Sequence, residues 1–235
     1  MLAIFNKGLV EPPQELNSPA SVKVSVKPKV PEETLKDFQS CHSTNAFLIS
    51  LGDAALLSYI PPCPPYSTQH SLIRQYGLSK GTNEAMLVIE AYRTLRDRGP
   101  YPADQVLKDM DGSFGFVLFD SKAGTVFAAL GADEGVKMYW GIGGDGWLVI
   151  SDNLEVIKAS CAKSFAPFPT GCMFHSEGGL RSFEHPMNKM KAMPRIDSEG
   201  VMCGANFKVD DYSRIHSMPR VGSEANWAVW GGPHV

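Results

Sequence analysis

Cysteine is sparse and unpaired in this sequence. The five thiols (Cys41, Cys63, Cys161, Cys172 and Cys203) are odd in number and scattered, without a Cys-x-x-Cys pair. A disulfide framework or a structural zinc site is therefore excluded as the organising principle, and no metal is expected. Reduced thiols, mostly in a core, are the expected state. Strong charge is lacking as well: 22 Lys and Arg against 25 Asp and Glu leave a formal net charge of -3, with no basic run. That gives no electrostatic footprint for nucleic acid or for an anionic membrane surface. No apolar stretch approaches the length of a membrane span, so no integral membrane segment is expected. The first 19 residues begin apolar but lack a basic region followed by a long apolar one, which makes a poor secretory signal. The expectation is a cytoplasmic protein, with the nucleus as a second compartment.

What is present is ordinary globular material. Of 235 residues, 43% are apolar and 20% charged, enough for one domain with a sizeable core and a tail. Met1 to Phe5 reads as a buried strand, and residues 11–30, rich in Pro, Ser and Lys, as a loop. Pro31-Glu32-Glu33 opens a short helix, with proline in the first turn and acids at the positive end of the dipole. Asn45–Ser50 and Ala54–Ile60 read as paired strands stopped by the prolines that follow. The strongest helical pattern covers Asn83–Arg98, with Thr82 as N-cap, and a shorter helix comes next at Ala103–Lys108.

Beyond Asp111-Gly112 the pattern turns to strands. In Ser113–Asp120, Phe114, Phe116 and Leu118 share one face, and Gly115, Val117 and Phe119 the other. A strand apolar on both faces belongs between two layers. Thr125–Leu130, Val136–Ile142 and Trp147–Ser151 come after it, and Asp152 with Glu155 resembles a capping box for a helix over Asn153–Ser160. A final hairpin is expected from Cys172–His175 and Leu180–Glu184, and from Asp211 onward the periodicity fades. The expected organisation is thus a domain over residues 1–210 and a tail over 211–235. Hairpins with grouped helices indicate an α+β protein with two antiparallel sheets between helical layers.

Several motifs then fall into one order. Met110-Asp111-Gly112-Ser113-Phe114-Gly115-Phe116, Asp133-Glu134-Gly135-Val136-Lys137-Met138-Tyr139-Trp140, Ile150-Ser151-Asp152-Asn153-Leu154 and Phe168-Pro169-Thr170-Gly171 together resemble the class II glutamine amidotransferase domain of asparagine synthetases. Tyr76-Gly77-Leu78 and Leu95-Arg96-Asp97-Arg98 resemble the signatures of the plant aluminium-induced, stem-specific family with YGL and LRDR motifs. The resemblance runs from Met1 to about Asp210. It implies the four-layer αββα N-terminal-nucleophile sandwich, and a role in plant stress, metal (aluminium) or hormone response.

The resemblance also implies what an active site would need. Active relatives begin Met-Cys-Gly-Ile-Phe, and the exposed cysteine uses its own α-amine as base. The matching run here is Met1-Leu2-Ala3-Ile4-Phe5, and leucine has no nucleophilic atom. Relatives clamp the glutamine carboxylate with an arginine, a bidentate task. The comparable stretch is Gly52-Asp53-Ala54-Ala55, so Ala55 marks an empty clamp, and Thr82 stands where an acid would hold the substrate amine. A Gly/Asn-rich strand supplying oxyanion donors is expected between His70 and Tyr76. The chain passes straight through, so a strand near residues 70–76 is expected to be missing.

Other candidates are weighed against plainer roles. Cys172 and His175 lie three apart, which on a strand places them on opposite faces. Asp133, Gly135 and Lys137 are expected to form a structural turn, with Asp133 bonding backbone amides and Gly135 taking a positive φ. Arg93, Arg96 and Arg98 complement a helix C-terminus. Ser217 lies in a basophilic kinase pattern, and Trp227 and Trp230 lie in the tail. The expected function is therefore a non-catalytic binding or regulatory protein without a cofactor, its partner a protein or a small ligand. A homodimer is compatible with this. The alternative is a weak amidohydrolase or glutaminase using Cys172 or Cys41.

Overall fold

The computed structural model describes residues 1–18, 27–41, 46–59, 84–98, 103–110, 112–196 and 200–215, with backbone alone at 84, 94–98 and 103. The expected two-sided strands set the architecture. In β1 (Leu2–Phe5), every residue is buried. Ala3 and Phe5 face one apolar cluster, and Leu2 and Ile4 face another. β4 (Gly115–Asp120) and β5 (Thr125–Leu130) pair antiparallel. Val117, Phe119, Val126, Ala128 and Leu130 join the cluster that holds Phe5, while Phe116, Leu118, Phe127 and Ala129 join a third. Three apolar layers on the two faces of two sheets require four layers of structure.

The first sheet is ordered β2-β3-β1-β7-β6-β8, with β2 Phe47–Leu51, β3 Ala55–Tyr59, β6 Tyr139–Ile142, β7 Leu148–Ser151 and β8 Phe165–Pro167. The second is ordered β10-β9-β5-β4, with β9 Cys172–His175 and β10 Gly179–Ser182. Every pair is antiparallel. Helices α1 (Pro31–Cys41) and α4 (Leu154–Cys161) cover the outer face of the first sheet, placing Phe38, Val156, Ile157 and Cys161 against Leu2, Ile4 and Val149. Helices α2 (Glu84–Arg98) and α3 (Ala103–Lys108) cover the second, placing Ala91, Tyr92, Val106 and Leu107 against Phe127, Ala129 and Met173. The fold is thus α+β, a sandwich of two antiparallel sheets between helical layers, as the sequence led us to expect. The proposed missing strand near residues 70–76 lies outside the described residues.

Aromatic packing holds the sheets together. Trp140 is fully buried and meets Phe168, Phe174 and Phe207 edge-on at centroid distances of 4.9, 5.4 and 5.4 Å. Such pairs contribute about 0.5–1.5 kcal/mol each beyond their area. Phe207 comes from a part the sequence pattern did not reveal. The hairpin of β9 and β10 is not the last one: β11 (Asn188–Ile196) and β12 (Met202–Arg214) form a separate two-stranded ribbon. β12 packs beside β8 and β11 beside β10, so the ribbon closes one side of the sandwich. Its strands are poor in β-branched residues and β11 carries Pro194, which hid them from pattern reading. β12 also runs to Arg214, four residues into the stretch read as tail.

The other side is built differently. Phe5 of β1 meets Phe119 of β4 at 6.1 Å, so β1 lies over the outermost described strand of the second sheet. β3 and β2 extend past it. Phe47, Ile49 and Tyr59, which share the inner face, are 55%, 46% and 46% exposed.

Candidate functional site

The site implied by the sequence lies at the start of β1. Leu2 sits opposite Ser58 of β3 on one side and Ser151 of β7 on the other. Its side chain is 1% exposed and points into the outer cluster with Val149, Val156 and Ile157. The alternation of β1 dictates this, because Ala3 and Phe5 take the inner face. Leu2 is thus a core residue under α1 and α4.

The backbone around it is held by the polar groups of Ser151, Asp152 and Asn153, in roles the sequence did not assign. The Met1 ammonium donates to both carboxylate oxygens of Asp152, at 2.8 and 2.9 Å. The Ser151 hydroxyl, fully buried, donates to the Met1 carbonyl at 2.7 Å and accepts the Asn153 N–H at 3.1 Å. Asp152 therefore does not cap the helix, contrary to the capping-box reading. Asn153 does, its Oδ1 accepting the N–H groups of Glu155 at 3.0 Å and Val156 at 3.4 Å. Two adjacent cap-type residues divide the work, and only the approach of β1 to β7 decides which takes which task. At the far end of β1, the Asn6 amide donates to the Asp53 carbonyl at 3.1 Å and its Oδ1 accepts the Gly8 N–H at 2.7 Å.

Ala55 does not converge with Leu2. It pairs with Phe5 and faces the inner cluster. Three residues of strand, about 10 Å, and the opposite face separate the two side chains. Thr82 and Tyr76-Gly77-Leu78 lie outside the described residues. Leu95, Arg96, Asp97 and Arg98 form the last turn of α2, with their side chains outside the described set. Ser217, Trp227 and Trp230 are likewise outside it.

The turn before β6 needs one correction. Gly135 is not among the positive-φ residues. Glycine is required there for space: a Cβ would stand 2.0 Å from the Ser113 Oγ and 2.7 Å from its Cβ. The Asp133 carboxylate accepts a hydrogen bond from the Ser113 hydroxyl, in place of the expected backbone amides. Lys137 is exposed.

The candidate replacement nucleophiles differ in setting. Cys172 is 1% exposed on the inner face, and burial pushes its thiol up to about 12 despite a hydrogen bond with Ser182. A thiol held there is poorly nucleophilic at neutral pH. His175 lies on the opposite face, its ring 6.3 Å from Phe127, with Nδ1 accepting the Glu177 N–H at 3.2 Å. Burial lowers its pKa to about 4. Cys41 is exposed at the end of α1. Among the described residues, no three His, Cys, Asp or Glu side chains are placed to hold a metal ion, and no helix is long and apolar enough to cross a membrane.

Comparisons with known proteins give consistent partial answers. The family described as "Aluminium induced protein" matches residues 2–70 and 65–209, two segments that overlap at 65–70. The stem-specific protein TSJT1 of Nicotiana tabacum is 36% identical over 148 residues, covering 55% of this chain and 99% of that protein. Those 148 residues exceed 55% of a 235-residue chain, so this chain has a gap against that relative. A probable glutamine-hydrolysing asparagine synthetase of Dictyostelium discoideum is 36% identical over 74 residues, 32% of this chain and 13% of that protein. Asparagine synthetase 2 of Oryza sativa subsp. japonica is 35% identical over 100 residues, 42% of this chain and 17% of that protein. The likeness to these synthetases is thus confined to a small part of their length.

Proposed function

The chain belongs to the aluminium-induced protein family, and from that premise we propose that it is a non-catalytic, glutamine-amidotransferase-like protein with a binding or regulatory role in plant stress, metal or hormone response. One observation carries this reading. The position matching the nucleophile of the active relatives holds Leu2, which is buried to 1% under two helices. Covalent amide hydrolysis needs a nucleophilic atom with a base in reach. Here the side chain offers neither, and Asp152 engages the adjacent ammonium.

The remaining parts support the same reading. Ala55 carries no charge to clamp a carboxylate, and it lies about three residues of strand from Leu2. Losing the clamp with the nucleophile removes transition-state binding as well as covalent chemistry. The overlapping two-part family match and the gap against the tobacco protein support a missing segment near residues 70–76.

A glutaminase assay on the purified protein tests the proposal. Ammonia release stays at background, unchanged by Cys41→Ala or Cys172→Ala. Turnover that disappears in either variant would overturn it in favour of an amidohydrolase with a displaced thiol.

A further inference from the structure

The edge of the first sheet carries a surface that the functional reading leaves unused. β2 is its outermost described strand, and Phe47, Leu48 and Ile49 are 55%, 45% and 46% exposed. Phe47 stacks on Tyr59 of β3 at 5.4 Å, and Tyr59 is itself 46% exposed. The inner faces of these two strands overhang β4, and Leu48 exposes the outer face too. Edge strands are ordinarily guarded by a charge, a proline or a bulge. Phe47-Leu48-Ile49-Ser50-Leu51 has no charge and no proline, and its register with β3 runs unbroken from Phe47↔Tyr59 to Leu51↔Ala55.

We propose that this edge is a self-association site, at which a second copy of the chain adds its own β2 antiparallel across a two-fold axis. The strand is complementary to itself. Centring the axis on Ile49 sets Ile49 opposite its own counterpart, Phe47 opposite Leu51, and Leu48 opposite Ser50. The apolar inner faces then lie side by side across the axis, and the two six-stranded sheets become continuous. Charge argues for the same occupant, because an uncharged strand in a chain of net charge -3 gives a charged partner nothing to recognise.

Area sets the strength. Four side chains of this size, each about half exposed, present on the order of 400 Å² per copy, of which edge pairing buries a part, against about 800 Å² per partner in a standard stable interface. The dimer is therefore concentration-dependent. It is also closed: each copy uses its one β2 edge, and β12 packs beside β8 at the other end of the sheet. This inference stands apart from the catalytic reading and survives its failure.

Sedimentation velocity on the full chain, from low micromolar to submillimolar concentration, tests it. The weight-average coefficient rises from monomer toward dimer and goes no higher. Ile49→Lys, which places two ammonium groups on the axis, weakens association at least tenfold, while Met86→Lys on the exposed face of α2 leaves it unchanged. A second arm does not depend on the lysine variant folding. In a Cys41→Ser, Cys63→Ser background, Ile49→Cys oxidises to a disulfide-linked dimer because paired Cβ atoms lie about 5 Å apart. Leu48→Cys, opposite a serine, does not. A monomer at every concentration overturns the proposal, showing the edge to be occupied otherwise. Equal cross-linking of both variants, or association indifferent to Ile49→Lys, overturns it too.

Discussion

Replacing Leu2 by cysteine supplies a thiol, but at a position the fold buries in its core. Leu2 is 1% exposed and packs with Ile4, Val149, Val156 and Ile157 beneath α1 and α4. Removing a buried leucine side chain to alanine costs about 2.7–5 kcal/mol, because the site collapses only in part. Cysteine keeps one heavy atom beyond Cβ, which reduces the loss to about 2 kcal/mol. For a chain of this size, that lowers the melting temperature by about 4–8 °C. The new thiol gains no reactivity, since it enters the cluster that holds Cys161, whose thiol burial pushes well above its usual range. Leu2→Cys is therefore expected to melt lower and to release no ammonia from glutamine. Differential scanning fluorimetry and a coupled ammonia assay on the same preparation read both outcomes. A variant that hydrolyses glutamine, or that melts with the parent, would refute the placement of Leu2 as a core residue.

Three further perturbations test other parts of the fold. Ala162 comes directly after α4 with φ 52 and ψ -108, the Cys161 carbonyl accepting the Ser164 N–H at 2.8 Å across it. Ala162→Gly removes that strain and is expected to raise stability by about 1 kcal/mol, and an unchanged or lower melting temperature would count against it. Gly135→Ala meets Ser113 at 2.0 Å and should cost about 1–3 kcal/mol, most of it recovered when Ser113→Gly is added. His175 is lowered from 6.5 to about 4 by burial, so the unfolded chain binds the extra proton between those values. Stability is then full above pH 6.5, falls as pH drops toward 4 by about 3 kcal/mol, and levels below it. Denaturation midpoints across that window flatten in a His175→Phe variant, and a slope that persists would assign the effect elsewhere.

How much was legible depends on which interactions are local. Phe114, Phe116 and Leu118 alternating with Val117 and Phe119 announced a strand between two apolar layers, because side-chain direction in a strand is fixed by sequence parity alone. The β11–β12 ribbon was not legible. Lys189, Lys191, Met193 and Pro194 form a weak strand signal, and the segment is held in place by Phe207 reaching Trp140. The cap of α4 was half legible: a capping pair at 152–153 was plain, but Asp152 was diverted by an ammonium 151 residues away in sequence. Gly135 was correctly singled out for a wrong reason. A glycine needed for clearance and one needed for positive φ look the same in a sequence.

At position 2 the division is sharpest. That position 2 holds leucine, which carries no nucleophilic atom, is a matter of covalent identity, and the sequence settles it without a structure. Whether that side chain faces a cleft or the core is not covalent. It depends on β1 lying between β3 and β7, on α1 and α4 covering the outer face, and on Ala3 and Phe5 claiming the inner one. The same holds for β2: its uncharged, apolar composition is written in the chain. That it is the outermost described strand of the first sheet is a consequence of strand order, which long-range pairing decides.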